Sequence, residues 1–161
     1  MNIPHQTIFD TGFNLAPQWC EWFSGWIDGE GCFMSQINKD SRSIACILSV
    51  WVRDDDAALI YSVQDKLHCG HITRESGQRR DNCGRKDAIG WRCNDTSACR
   101  HILMPLFDCY PLRSKKSRDY EIWRKLVISI SEKNHLNENR DYVLGLCREL
   151  SDIKRYVPTI V

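Results

Sequence analysis

No stretch of this chain approaches the roughly eighteen consecutive apolar residues that a membrane-spanning helix needs, so no membrane partner is expected. The opening residues, Met1-Asn2-Ile3-Pro4-His5, lack a basic segment followed by an apolar one, and no secretory signal is read there. Short-period repeats and low-complexity segments are also missing, which excludes solenoids and disordered tracts. No C-x2-C pair occurs. His68, Cys69, His71, Cys83 and Cys93 crowd one hairpin, but Cys69-Gly70-His71 is too tight for ordinary zinc spacing, so structural zinc is disfavoured. An excess of one charge is absent too: the formal net charge is +1.

What is present fits one globular domain. The chain has 161 residues, 42% of them apolar and 27% charged, enough to bury a core. Nine cysteines is a high count, yet the number is odd and the spacing irregular. Several lie in apolar runs, as Cys46 does in Ile44-Ala45-Cys46-Ile47-Leu48. They read as small hydrophobes of a reduced, intracellular protein. The near-neutral charge is unevenly distributed. Residues 66–100 carry eight basic against four acidic side chains, and residues 111–125 six against two. Two positive stretches in a neutral chain point to one basic face.

Residues 1–16 show little periodicity and read as an arm. Pro17 suits a first helical turn, and Trp19, Trp22, Phe23, Trp26 and Ile27 follow at helical spacing. Two glycines are expected to stop that helix at Asp28-Gly29-Glu30-Gly31. A hairpin follows, from Cys32–Asn38 through a polar turn at Lys39-Asp40-Ser41-Arg42 to Ile44–Arg53. Cys46, Leu48, Val50 and Val52 share one face of its second strand; Ala45, Ile47, Ser49, Trp51 and Arg53 share the other. A second helix fits Asp55–Leu67, with Ala58, Leu59, Tyr61, Ser62 and Leu67 as inner positions. A second hairpin runs from His71 through a loop at 77–84 to a strand over Asp87–Cys93. Asn94-Asp95-Thr96 caps a third helix reaching about Phe107, Pro111 breaks the chain, and helices near Lys115–Ser131 and Asn139–Ile153 complete it.

Chemistry concentrates in Phe23-Ser24-Gly25-Trp26-Ile27-Asp28-Gly29-Glu30-Gly31. Gly25 and Gly29 stand four apart on one helical face, and Ser24 is small, a spacing that lets two helix backbones approach closely. The carboxylates that follow sit at a helix C-terminus, against its dipole. A divalent cation would compensate them; solvated carboxylates at a plain helix end are the alternative.

The nine residues together resemble the LAGLIDADG signature. Gly25, Ile27, Asp28 and Gly31 match outright, while Phe23, Ser24, Trp26, Gly29 and Glu30 replace Leu, Ala, Leu, Ala and Asp. The resemblance extends over most of the chain, because α-β-β-α-β-β-α is that family's core unit. It implies an α+β fold: an αββαββα unit with a saddle-shaped antiparallel sheet and additional C-terminal helices. All of 1–161 forms a single domain on this reading, with the core and its following helix over 17–131 and a helical segment over 132–161.

The family resemblance also implies roles. Glu30, with the Gly29 carbonyl, would bind Mg²⁺ (Mn²⁺ or Ca²⁺ as alternative occupants) beside the scissile phosphate. Ser24, Gly25, Asp28 and Gly29 would form the dimer interface, Asp28 also stabilising the helix end. Asp54 is the counterpart of a polar residue that orients water, although it equally suits an N-cap. Lys115 is assigned as the catalytic lysine, with Lys116 a close second and a DNA contact. The hairpins would enter the major groove of double-stranded DNA with Met34, Gln36, Asn38, Ser49, Trp51, Arg74, Lys86 and Arg92; Trp51 either stacks on a sugar or lies under a helix. One motif per chain implies a homodimer, a pseudo-palindromic target and hydrolysis leaving 5′-phosphate and 3′-hydroxyl ends. No small-molecule substrate is expected. The alternatives are an intron maturase that binds intron RNA, or an inactive DNA-binding protein on the same scaffold. An organelle-encoded protein and a bacterial or archaeal one fit equally.

Overall fold

The computed structural model describes residues 15–38, 43–77 and 87–154. Helix α1 spans Pro17–Glu30, with Pro17 in its first turn. The helix ends within the expected Asp28–Gly31 segment: it runs through Gly29, and Gly31 is the residue that ends it. A Cβ on Gly31 would lie 2.6 Å from Ile27 Cγ2 and 2.8 Å from the Ile27 carbonyl oxygen. Only a residue without a side chain lets the chain turn there into β1. A Cβ on Gly29 would meet nothing within 4 Å.

Strands β1 (Cys32–Ile37) and β2 (Ile44–Arg53) pair antiparallel. Their turn at 39–42 lies outside the described residues, as do the arm at 1–14, residues 78–86 and residues 155–161. A short 3-10 turn, Asp54–Asp56, leads into α2 (Ala57–Leu67). This turn sets the phase of α2, and Ile60, Val63 and Leu67 face inward. Of the expected inner positions only Leu67 is buried, and Tyr61 is exposed. Strands β3 (His71–Glu75) and β4 (Ala88–Cys93) follow, and β2 pairs with β4, giving the antiparallel order β1-β2-β4-β3.

Asp95 caps α3 (Thr96–Ala98) by accepting from the Ala98 N–H at 2.7 Å. A π-turn over Cys99–Leu103 joins it to α4 (Met104–Cys109), two residues beyond the expected end. Helices α5 (Lys116–Ser131) and α6 (Arg140–Asp152) complete the order. No described helix is long and apolar enough to cross a membrane.

The apolar stripes of the helices and one face of the sheet close into one continuous core. Phe33 on β1 packs against Trp123 of α5 at 5.2 Å and Phe107 of α4 at 5.7 Å between ring centres. Cys46, Leu48 and Val50 bury on this face, with Val52 partly buried against the core, as the alternation in β2 implies. The eight described cysteines are free thiols, five of them buried, and burial pushes the Cys20 thiol up to about 11.

Gly31→Ala is expected to destabilise the fold by about 1–3 kcal/mol, the usual cost of forcing atoms into a filled site. Gly145 sits inside α6, and a Cβ there would meet nothing within 4 Å, so Gly145→Ala should be neutral or stabilising by up to about 1 kcal/mol. Urea unfolding of the two variants checks the contrast.

Candidate functional site

The C-terminal end of α1 carries its dipole's partial negative charge together with Asp28 and Glu30. The structure compensates two of the three oxygen-bearing groups there. Asp28 accepts from the backbone N–H groups of Arg113 and Ser114 at 3.0 Å, and from the Ser114 hydroxyl at 2.7 Å. Burial pushes the Asp28 carboxyl upward. The Ser114 hydroxyl, the two backbone N–H groups and the Lys116 charge outweigh it and hold the carboxyl below its ordinary value. Lys116 donates from Nζ to the Gly29 carbonyl at 3.0 Å. Ser114 Oγ also accepts from the Lys116 N–H at 3.1 Å, which ties the clasp to the start of α5. Glu30 is exposed and has no side-chain partner among the described residues.

Of the two candidate lysines, Lys116 is half-buried on the motif. Lys115, one residue earlier, is exposed, with no partner for its ammonium among the described residues. Asp54 is held elsewhere: its carboxylate pairs with Arg74, which also donates to the Tyr61 hydroxyl at 2.9 Å. It therefore braces β3 against α2 and makes no N-cap bond for the helix.

A donor set of one carboxylate and one carbonyl is hard oxygen, which suits Mg²⁺, Mn²⁺ or Ca²⁺. The Gly29 carbonyl already accepts from a cation, and Glu30 stands beside it in sequence. No group of three or more His, Cys, Asp or Glu able to hold a metal occurs among the described residues. The face of α1 bearing Gly25 and Gly29 is uncovered, and a Cβ on either glycine would meet nothing within 4 Å. Beside it a groove of about 530 Å³ runs between Glu21, Gly25 and Asp28 on one side and Tyr110 and Arg113 on the other. Ser24 faces inward from the same helix, donating to the Tyr110 carbonyl at 2.5 Å.

The second face of the sheet collects most of the residues expected to read DNA. The register places Met34 and Gln36 on β1, Ser49 and Trp51 on β2 and Arg92 on β4 on this side, away from the core. Trp51 lies flat on β4: a Cβ on Gly90 would come within 2.5 Å of its ring. Asn38, just past β1, is exposed and closes the hairpin through its N–H to the Ser43 carbonyl at 3.0 Å. Arg74 stands apart, because it shares the core-side row of β3 with Ile72. The β3 residues on the second face are His71, Thr73 and Glu75, and sequence reasoning did not place His71 and Thr73 on this face. The alternation with Ile72 was the available signal. Lys86 lies outside the described residues. Ser49 Oγ and Arg92 Nε are buried without partners, an arrangement that costs a protein about 1–3 kcal/mol per group.

An open four-stranded antiparallel sheet, cored by helices on one side, with an acidic helix end, defines an α+β unit. The family model for the LAGLIDADG endonuclease matches residues 23–127, and the chain belongs to that family. A crystal structure of the homing endonuclease I-TnaI superposes with a TM-score of 0.69 at 20% identity, covering 81% of this chain and 86% of that one. The LAGLIDADG meganuclease I-AabMI, bound to uncleaved DNA, gives 0.67 at 28% identity over 79% of this chain and 42% of that one. I-GzeII, in complex with its DNA target, gives 0.71 at 22% identity over 96% and 46%. An uncharacterized 50.9 kDa protein in ND4 intron 1 of Podospora anserina is 27% identical over 127 residues, which are 73% of this chain and 26% of that protein. The chain thus spans about a quarter of that relative and under half of the two DNA-bound meganucleases.

Asp28→Asn should lower stability by about 1–2 kcal/mol at neutral pH, through loss of charge-assisted hydrogen bonds. The Asp28 carboxyl is depressed in the folded protein. Its contribution is therefore fully present above the unfolded value near about 4, and is lost as pH falls through the folded value. Urea unfolding of wild type and variant between acid and neutral pH should show two curves that converge in acid.

Proposed function

We propose that this chain is a site-specific homing endonuclease, acting as a homodimer to make Mg²⁺-dependent double-strand breaks in a long, pseudo-palindromic DNA site. The observation that carries this reading is Glu30. Among the described residues its carboxylate has no partner, and it stands next to a carbonyl that accepts a cation. The DNA-bound meganucleases of the same fold support duplex DNA as the partner. The relative within an ND4 intron supports an intron-encoded origin.

Glu30 and the Gly29 carbonyl would hold the divalent ion, which would supply Lewis acidity against charge developing on the phosphoryl oxygens. Lys116 keeps the Gly29 carbonyl oriented from the α5 side. Lys115, exposed at the start of α5, offers its ammonium to the scissile phosphate. A water molecule attacks phosphorus in line and the 3′ oxygen departs, leaving 5′-phosphate and 3′-hydroxyl ends. Asp28 belongs to the clasp that sets these groups and takes no part in bond breaking.

One chain supplies one Glu30, and a double-strand break needs two such ends. The uncovered Gly25–Gly29 face accommodates a second motif helix at close range. A two-fold pair brings both carboxylates to the centre and spreads the two sheets over the half-sites.

Cleavage selection from a randomised duplex library with Mg²⁺ tests the proposal. Wild type should cut both strands at a pseudo-palindromic site, while Glu30→Gln should bind that site with little loss and fail to cut it. Absence of cutting by wild type over a range of divalent ions and salt would refute the endonuclease reading. Undiminished cutting by Glu30→Gln would remove Glu30 from its role.

A further inference from the structure

One side-chain hydrogen bond spans three strands on the outer face of the sheet. Arg92 on β4 donates from Nη2 to the Gln36 amide oxygen on β1 at 3.0 Å, passing over β2. Arg92 is level with Ser49, and Ser49 with Cys32, whereas Gln36 is level with Ala45. The link therefore runs diagonally across β2, over the stretch that holds Ile47. Ile47 points away from the helices and stands outside the continuous core, yet it is only 2% exposed. On the same face Ser49 is 1% exposed, and among the described residues its hydroxyl and the buried Nε of Arg92 have no partner. Buried polar atoms are normally paired, which sets this stretch of the face apart.

Resting on the reading of this face as a DNA surface, we propose that Gln36 and Arg92 form a single base-reading unit, in which Arg92 contacts a guanine and Gln36 is a positioning residue. Gln36 bonds an adenine bidentately only if its amide oxygen and nitrogen both face the base. Here the oxygen already accepts from Arg92. The guanidinium, in turn, has its Nε turned inward and one Nη2 hydrogen committed to Gln36. Its outer edge, Nη1 with the second Nη2 hydrogen, remains as a parallel pair of donors. That pair matches O6 and N7 of guanine in the major groove. Residue type alone would assign Gln36 to adenine and Arg92 to guanine at two positions; the hydrogen bond merges them into one.

Binding-site selection without cleavage, in Ca²⁺, tests the unit with wild type, Arg92→Met, Gln36→Met and Gln36→Glu, each confirmed folded by its thermal unfolding. Arg92→Met should lose guanine preference by about 5- to 150-fold at one base pair and its two-fold mate, the range expected for one bidentate contact. Gln36→Met should weaken preference at that same pair, while the acceptor in Gln36→Glu should preserve it even as overall affinity falls. Loss at two different base pairs would overturn the unit and make the residues independent readers. An unchanged profile in Arg92→Met would leave Arg92 as a brace for Ile47 and overturn it equally. A wild type that selects no site would overturn the endonuclease reading itself, a failure distinct from either.

Discussion

A helix that ends in free carbonyls and two carboxylates is stabilised where cations or hydrogen-bond donors meet them, and the arrangement around α1 follows that rule. The N–H groups of Arg113 and Ser114 meet Asp28, an interaction across 85 residues of sequence, and Lys116 meets the Gly29 carbonyl. These bonds fix where α5 begins and hold its first turn against the motif. Gly31 then allows the chain to leave the helix end and enter β1 without colliding with Ile27. What remains is Glu30, without a partner among the described residues. The same interactions that stabilise the helix end thereby define an acidic position that a divalent ion can complete.

The sheet repeats this division of labour on a larger scale. Its inner face is closed by aromatic packing of Phe33, Phe107, Tyr120 and Trp123, and Tyr120 is further tied by its hydroxyl to Asp108 at 2.6 Å. Arg74, with Asp54 and Tyr61, locks β3 to the adjoining helix. The outer face is ordered as well. Trp51 lies on the Gly90 backbone, and Arg92 spans β2 to Gln36.

Much of this was legible in the sequence because it rests on local periodicity. The alternation in β2 separated Leu48 and Val50 from Ser49 and Trp51, and the Asp95 cap marked the start of α3. The nine-residue motif located the acidic helix end. What escaped depended on phase or on contacts distant in sequence. Gly29 and Gly31 look equivalent as helix breakers, and only the proximity of Ile27 distinguishes them. The 3-10 turn at Asp54–Asp56 shifted the inward stripe of α2 to Ile60 and Val63. Arg74 reads as a groove-facing basic residue of the second hairpin until the register puts it on the row of Ile72. Lys115 and Lys116 are indistinguishable until the start of α5 turns one of them toward Gly29.

The central claim is that the uncovered glycine face of α1 is a joint between two copies, without which the acidic site is half complete. Sedimentation equilibrium of the 18.8 kDa chain measures this most directly. The account predicts twice the chain mass for wild type and the single-chain mass for Gly25→Leu, whose side chain would hold the two helices apart. A wild type that cuts both strands as a monomer, or a Gly25→Leu dimer as stable as wild type, would contradict it.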